Sequence, residues 1–469
     1  MITSSIIKSA RVILALLALG IATLGVSAEN FRPVSDEEID AMGFDNAGAS
    51  KLGIYVEDVI TGEVLVDYNC ADPFIPASVM KAITTASVIT LINPSQHFDT
   101  RVELCGHRTD GHIFEGNLVV RAVGDPTLES AYFTDNLGMA DSIAGRVYAL
   151  GIDSIAGTVI VDESAMPFNG YPDGWAKEDY MWPYGTAYHT ASWRDNRFTL
   201  SLPSKTAFPA VEGLEVKVNK KKRGAVKYHY DMRENVVTAT GRFPRGAQTT
   251  VALAHPDPAA AMRHEIVEKL NERGIGVGAH AADESAAVEK IYSHISPSLL
   301  EIMRSLMYRS DNMMAEAMLR AIAPGKPREE ACRLEMSLWK LRGCDTDEVA
   351  IYDGSGLSRL NRLTPYFMAD VLRYTSLSPR GVLYASLFPK AGNDGTVRNL
   401  FASSPLKGEL ALKSGTMKGV RCLVGFRMEQ GIYPSHIIVV MANGANLQPA
   451  KLHKSLQVLF EKLFNKQQS

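Results

Sequence analysis

Ser78 and Lys81 form an S-x-x-K motif, which pairs a hydroxyl group with an amine at helical spacing. On a helix, two residues at this spacing lie on one face, within reach of each other. A neutral lysine beside a serine can accept the hydroxyl proton, and the serine oxygen then attacks an acyl group and forms a covalent intermediate. Because the motif occurs by chance in many helices, it does not identify a catalytic site alone.

Ser310, Asp311 and Asn312 form a second motif, S-D-N, after a helix that is predicted to start beyond Pro297. The serine of such a triplet can relay a proton to a leaving amine. The asparagine can donate a hydrogen bond to a substrate carbonyl and to the lysine of the first motif. The triplet is also a common N-cap of a helix, and alone it would favour that structural interpretation.

A third motif, K-S-G-T, places Lys413, Ser414, Gly415 and Thr416 in a strand pattern. Lys413 supplies positive charge, and the hydroxyls of Ser414 and Thr416 can bind a terminal carboxylate. Gly415 would let a substrate backbone lie close to the strand. The backbone N–H of Thr416, with that of Ser78, can form an oxyanion hole. The order and local context of the three motifs argue against coincidence and predict serine acyl transfer.

The set S-x-x-K, S-D-N and K-S-G resembles the penicillin-recognising serine enzymes, which include D,D-peptidases and serine β-lactamases. Two further features are the stretches G-D-P-T-L at 124–128 and Y-D-G-S-G-L-S at 352–358. With the long segment between the first two motifs, they resemble the low-molecular-mass class C penicillin-binding proteins. This is the D-alanyl-D-alanine carboxypeptidase/endopeptidase family, and the likeness runs from about Gly53 to the C-terminus.

This resemblance implies an α/β fold of the penicillin-recognising serine transferase type (β-lactamase/transpeptidase-like), with two inserted smaller, mainly β domains. The expected division is a signal peptide (1–28), a catalytic domain (29–98 and 292–469), an inserted domain II (99–210 and 249–291) and a small inserted domain III (211–248). The loosest part of the likeness falls in domain III.

The resemblance also implies the roles of single residues. The family's nucleophile and base map onto Ser78 and Lys81, its second-motif pair onto Ser310 and Asn312, and its third-motif lysine onto Lys413. The expected activity is a D,D-carboxypeptidase acting on peptidoglycan peptides that end in D-Ala-D-Ala, with D,D-endopeptidase action on cross-links also open. We expect β-lactams to acylate the serine, and we expect no metal or cofactor.

One position departs from the family pattern. Ser414 stands where the family usually has threonine. The hydroxyl is kept and a methyl group is lost, so carboxylate binding should persist while the rigidity of the side chain is in question.

Two alternatives remain open. A serine β-lactamase needs an activator for the deacylating water, and one class carries a glutamate in an E-x-x-L-N setting between the second and third motifs, which this sequence lacks. The second alternative is a catalytically silent cell-wall-binding protein. Such a protein would not need the motif residues, so their presence in intact form argues against it.

Length, charge and composition limit the number of domains and disfavour some other functions. A chain of 469 residues predicts two or three domains, and a net charge of −3 gives no overall attraction to nucleic acid. The histidines and cysteines show no zinc-binding spacing. The five cysteines include no C-x-x-C pair, so we expect buried thiols or at most one disulfide.

The first residues have the pattern of a signal peptide. Lys8 and Arg11 precede an apolar run at 12–24, and a small-x-small site ends at Ala28. We therefore expect export to the periplasm or extracytoplasmic envelope, with no integral membrane segment after cleavage. An uncleaved membrane anchor is the alternative.

Local patterns predict further elements. We expect a hairpin at 51–68, a helix at 260–274, and a C-terminal helix at 450–466 that packs across the last sheet or, alternatively, lies on a membrane surface. The basic run at 220–223 is interpreted as a solvated hairpin tip, with binding to an anionic wall polymer as the alternative.

Overall fold

A computed structural model describes residues 33–44, 47–109, 112–166, 168–244, 248–282 and 287–464. The predicted signal peptide lies outside these residues. The helices are α1 (Asp36–Ala41), α2 (Met80–Leu91), α3 (Met139–Ala149), α4 (Pro258–Glu272), α5 (Leu299–Arg309), α6 (Asn312–Ala321), α7 (Arg328–Leu341), α8 (Pro365–Ser376), α9 (Gly381–Ala385) and α10 (Pro449–Phe464).

In the described part of the chain, the strands fall into four sheets. Their bounds are β1 (Lys51–Asp58), β2 (Val64–Tyr68), β3 (Asp99–Arg108), β4 (Ile113–Arg121), β5 (Ser154–Ile155), β6 (Val159–Asp162), β7 (Arg197–Leu202), β8 (Thr206–Phe208), β9 (Glu215–Lys220), β10 (Lys227–Asp231), β11 (Val236–Gly241), β12 (Thr249–Ala254), β13 (Gly276–Val277), β14 (Val288–Ile295), β15 (Leu410–Met417), β16 (Val420–Glu429) and β17 (Tyr433–Asn443).

A five-stranded antiparallel sheet, in the order β15-β16-β17-β1-β2, joins the two ends of the chain. β1 is buried at every position except its two ends, which fits a strand covered on both faces. β17 pairs with β1 from Lys51↔Asn443 to Asp58↔His436. The predicted N-terminal hairpin is therefore present, and it shares a sheet with the strand that carries the third motif.

Helices cover both faces of this sheet. One apolar core joins it to α2 and to α5 through α9, and a second core on the opposite face joins it to α1 and α10. The layers are helix, sheet and helix, which confirms the predicted α/β class. The first and second motifs lie on the face of the sheet that α2 covers, next to the strand that carries the third motif.

The inserted region leaves and returns on neighbouring strands. β3 follows α2, β14 precedes α5, and the two strands pair antiparallel as far as Asp99↔Ile295. They belong to a sheet in the order β13-β5-β4-β3-β14, with β6 beside β4, which packs against α3 and α4. β14 ends at Ile295, so this sheet extends past residue 292, where the sequence placed the return to the catalytic domain. The pairing of Asp99 with Ile295 brings the two ends of the insertion close together.

Two small sheets, β12-β7-β8 and β10-β11-β9, share a further apolar core. The basic run at 220–223 is exposed between β9 and β10. β11 separates these two strands in the sheet, so the run lies on a connection across the sheet and not at the hairpin tip predicted from the sequence. The predicted domain III (211–248) contains only β9, β10 and β11, but β7 and β12 share their core. We therefore propose that both small sheets form one inserted domain and that the insert sheet forms the other.

One further helix and the cysteines agree with the sequence-based expectations. The helix predicted at 260–274 is α4, and all five cysteines are buried and free. In the part of the chain that the structure describes, no helix has both the length and the apolar character needed to cross a membrane.

The packing of α10 gives a prediction that separates the two interpretations of this helix. Leu459 is fully buried against the sheet, whereas Val458 is 50% exposed. We expect Leu459→Ala to lower the free energy of unfolding by about 2–5 kcal/mol, because it leaves a cavity. Val458→Ala should change it by less than about 1 kcal/mol. Urea unfolding followed by circular dichroism measures both, and equally small effects would contradict packing on the sheet.

Candidate active site

Ser78 lies in a tight turn immediately before α2. The turn is a 3₁₀ helix over Ala77–Val79, and α2 begins at Met80, so the serine precedes the α-helix that carries Lys81. Ala77 has a left-handed backbone with φ of 49°, a conformation that is uncommon for a residue with a side chain. Ser78 is partly exposed while its neighbours are buried. The turn therefore presents one hydroxyl to solvent from a packed backbone.

Two glycines let other segments pack against this turn. A Cβ on Gly415 would lie 2.6 Å from the carbonyl oxygen of Pro76 and 3.2 Å from the backbone nitrogen of Ser78. A Cβ on Gly356 would lie 1.9 Å from the carbonyl oxygen of Ala77. The chain's own backbone therefore lies close to Gly415, which the sequence did not indicate, and the expected approach of a substrate backbone at this strand stays a prediction.

Lys81 is fully buried and donates to three oxygen atoms. Its Nζ lies 3.1 Å from Ser78 Oγ, 2.6 Å from Asn312 Oδ1 and 2.6 Å from the carbonyl oxygen of Ser355. The structure therefore brings the first two motifs together around one amine.

Burial lowers the pKa of Lys81 to about 8, because the charged amine loses its hydration. The negative charges of Asp353, Asp311 and Glu316 oppose this change and keep the pKa from falling further. Near neutral pH a useful fraction of the amine is therefore uncharged and able to accept the proton of Ser78.

The second motif joins two helices. Ser310 ends α5 in a left-handed conformation, and Asp311 caps α6 by accepting a hydrogen bond of 2.8 Å from the backbone nitrogen of Met314. The N-cap interpretation of the triplet is confirmed for Asp311, and the next residue, Asn312, contacts Lys81. The Nδ2 of Asn312 donates to the carbonyl oxygen of Tyr184 at 2.7 Å, and its Oδ1 accepts from Lys81.

The third motif approaches from β15, the outermost strand of the central sheet. Lys413 is fully buried, and its Nζ donates to Ser310 Oγ at 2.9 Å and to the carbonyl oxygen of Ser414 at 2.7 Å. Burial, together with the nearby charge of Lys81, holds the pKa of Lys413 well below its usual value. Ser78, Lys81, Ser310, Asn312 and Lys413 therefore form one cluster, in which hydrogen bonds join Ser78 and Asn312 to Lys81 and Ser310 to Lys413, and the two lysines interact electrostatically.

Ser414 and Thr416 lie beyond this cluster near the end of the strand. The hydroxyls of Ser414 and Thr396 are hydrogen bonded at 2.7 Å, and Thr396 was not expected from the sequence. A cavity of about 90 Å³ adjoins these residues and is also lined by Arg421 and His453. The hydroxyl groups and the guanidinium that line this cavity could bind an anionic group of a ligand.

The stretch 352–358, which carries part of the family resemblance, forms a loop whose Ser355 carbonyl oxygen contacts Lys81. In the structure Asp353 is fully buried and organises this loop, while Glu316 accepts hydrogen bonds from the backbone of Gly354 and Ser355. The groups that donate to Asp353 are Gly356 N, Ser358 N, Asn361 Nδ2, Ser355 Oγ and Trp175 Nε1. Trp175 and Tyr184 come from the inserted region, and no sequence pattern marked either of them.

The chain is similar in sequence to a family of known carboxypeptidases. The model of the D-Ala-D-Ala carboxypeptidase 3 (S13) family matches residues 36–461. A D-alanyl-D-alanine carboxypeptidase of Actinomadura sp. (strain R39) is 29% identical over 433 residues, which cover 83% of this chain and 78% of the relative. The D-alanyl-D-alanine carboxypeptidase DacB of Haemophilus influenzae is 25% identical over 404 residues, which cover 80% of this chain and 82% of the relative.

Solved structures show the same fold. Penicillin binding protein 4 (dacB) from Haemophilus influenzae matches with a TM-score of 0.75 at 22% identity, covering 91% of this chain and 99% of that chain. A predatory endopeptidase from Bdellovibrio bacteriovorus matches with a TM-score of 0.50 at 12% identity, covering 88% and 94%. The resemblance drawn from the three motifs is confirmed, and the chain belongs to the D-Ala-D-Ala carboxypeptidase 3 (S13) family.

Proposed function

We propose that this family member is a serine D-alanyl-D-alanine carboxypeptidase in which Ser78 is the nucleophile and Lys81 the general base. One observation carries the assignment: the buried Lys81 amine lies 3.1 Å from Ser78 Oγ, and burial lowers its pKa to about 8. The substrates are peptidoglycan peptides ending in D-Ala-D-Ala, and no metal or cofactor takes part.

In the acylation step, neutral Lys81 accepts the hydroxyl proton as Ser78 Oγ attacks the carbonyl carbon of the penultimate D-Ala. The backbone N–H groups of Ser78 and Thr416 stabilise the oxyanion. The C–N bond to the terminal D-Ala then breaks, and the proton taken up by Lys81 passes through Ser310 to the leaving amine. In the second step Lys81 accepts a proton from the attacking water, the ester bond to Ser78 Oγ breaks, and the proton returns to Ser78.

The terminal carboxylate of the substrate binds at the end of β15. The hydroxyls of Ser414 and Thr416 donate to it, and Lys413 and Arg421 supply positive charge from either side. A bound anion favours the protonated form of Lys413, whose pKa burial otherwise lowers. Ser414 lacks the methyl of the usual threonine, and its hydroxyl is hydrogen bonded to that of Thr396.

The relatives support the substrate class and the inhibitor class. The two curated relatives described above are named D-alanyl-D-alanine carboxypeptidases, and the Haemophilus protein was also solved in complex with a β-lactam. We infer that β-lactams acylate Ser78, that cleavage of cross-links is a second activity, and that the enzyme works outside the cytoplasm at the cell wall.

Covalent labelling tests the nucleophile and the base. A fluorescent penicillin should label the wild-type protein but not Ser78→Ala, because the acyl group has no oxygen to join. Lys81→Ala should lose at least about 100-fold in labelling rate at neutral pH, since the hydroxyl then lacks its base. Equal labelling of wild type and Ser78→Ala would exclude Ser78 as the nucleophile.

The lifetime of the acyl-enzyme separates a peptidase from a β-lactamase. An opened β-lactam stays tethered and blocks the path of water, whereas a released D-Ala does not. We expect the penicilloyl adduct to persist for minutes or longer, which corresponds to a barrier above roughly 20 kcal/mol. Intact-mass spectrometry after a penicillin pulse follows the adduct. Disappearance within seconds, with steady hydrolysis of excess drug, would instead identify a β-lactamase.

A further inference from the structure

A segment of the inserted region, residues 173–184, lies directly on the loop that contacts Lys81. Trp175 Nε1 donates to Asp353 Oδ2 at 2.7 Å, and Ser358 Oγ donates to the carbonyl oxygen of Asp173 at 2.5 Å. The backbone nitrogen of Arg359 donates to the carbonyl oxygen of Gly174 at 3.2 Å. The inserted region and the catalytic part of the chain are therefore joined at this loop.

Two connections run from this segment to the catalytic cluster. Trp175 binds Asp353, whose other hydrogen bonds fix the loop that presents the carbonyl oxygen of Ser355 to Lys81 Nζ at 2.6 Å. Further along the segment, the carbonyl oxygen of Tyr184 accepts from Asn312, which also accepts from Lys81. Trp175 is buried and provides the side-chain connection, so it can be changed without altering the backbone.

We propose that Trp175 is a positioning residue for Lys81 and acts through Asp353 and the carbonyl group of Ser355. The inserted region then takes part in setting the geometry and basicity of the catalytic amine. This inference rests on the proposed function, in which Lys81 is the base for Ser78.

The electrostatic consequence has a definite sign. The charged or titratable groups that act on Lys81 are Asp353, Asp311, Glu316 and Lys413. The Trp175 N–H group partly offsets the negative charge of Asp353. Without it, the field of Asp353 at Lys81 is stronger, the protonated amine is favoured, and the pKa of Lys81 rises. The neutral base then becomes available only at higher pH.

The experiment measures the rate of acylation by fluorescent penicillin as a function of concentration and of pH. Trp175→Phe removes the indole N–H and keeps an aromatic ring. We expect the limiting acylation rate to fall about tenfold, with the apparent binding constant for penicillin within about twofold. The pH of half-maximal acylation rate should move upward by about half a unit.

Trp182→Phe is the matched control. Trp182 lies in the same segment, packs against the core between the two small sheets, and its indole N–H makes no hydrogen bond within the described part of the chain. This variant should keep the wild-type acylation rate and pH dependence.

A residue with only a structural role gives a different result. Trp175→Phe would then reduce the fraction of protein that can be labelled, while the rate constant and the pH of half-maximal rate of the remaining fraction stay at wild-type values. That outcome overturns the proposal. If Trp175→Phe does not fold, replacement by benzothienylalanine, in which sulfur replaces the N–H group at nearly the same volume, provides the same comparison.

The same series distinguishes this inference from the proposed function. If wild-type protein is not labelled, or Ser78→Ala is labelled equally, the proposed function fails whatever Trp175 does. If labelling depends on Ser78 and Trp175→Phe behaves as wild type at every pH, only the positioning role is refuted.

Discussion

The burial of the Lys81 amine is the constraint on which the rest of the site depends. Moving an ammonium ion from water into a protein interior costs roughly several kcal/mol of free energy, unless hydrogen bonds and opposite charges replace its hydration. Ser78, Asn312 and Ser355 supply the oxygen atoms, and nearby carboxylates supply the charge. The compensation is partial, so the pKa of Lys81 falls to about 8 and the neutral base needed for acyl transfer becomes accessible.

The oxygen atoms around Lys81 come from segments that are far apart in sequence, which explains the architecture of the chain. The large insertion between the first two motifs is compatible with the site because it leaves and returns on adjacent strands, paired at Asp99↔Ile295. The insertion also contributes to the site, since the carbonyl oxygen of Tyr184 and the indole of Trp175 bind residues of the catalytic cluster and its supporting loop. Hydrogen bonds therefore join the segment 173–184 to Asn312 and to the loop that contacts Lys81.

Sequence reasoning reached the three motifs, the α/β class and the family because these depend on local spacing and on patterns that are contiguous in the chain. It did not find Trp175 or the role of Asp353, since no periodicity reports which distant segment lies across from a given side chain. It also did not reveal that the turn holding Ser78 packs against Gly415, because a glycine indicates that something approaches closely but only the fold shows which segment does so. The prediction that 220–223 forms a hairpin tip was wrong, because the order of strands in a sheet depends on pairing between distant segments and not on the local sequence.

Direct titration of Lys81 tests the central claim, that a buried and partly compensated amine is the base. Lysine labelled with ¹³C at Cε can be followed by NMR across pH 6–11, with the Lys81 signal assigned by its loss in Lys81→Arg. We expect this signal to titrate near pH 8, as the burial of the amine requires, while exposed lysines titrate near their usual value of about 10.4. Titration of Lys81 together with the exposed lysines would show that the amine stays charged at neutral pH and would contradict the account.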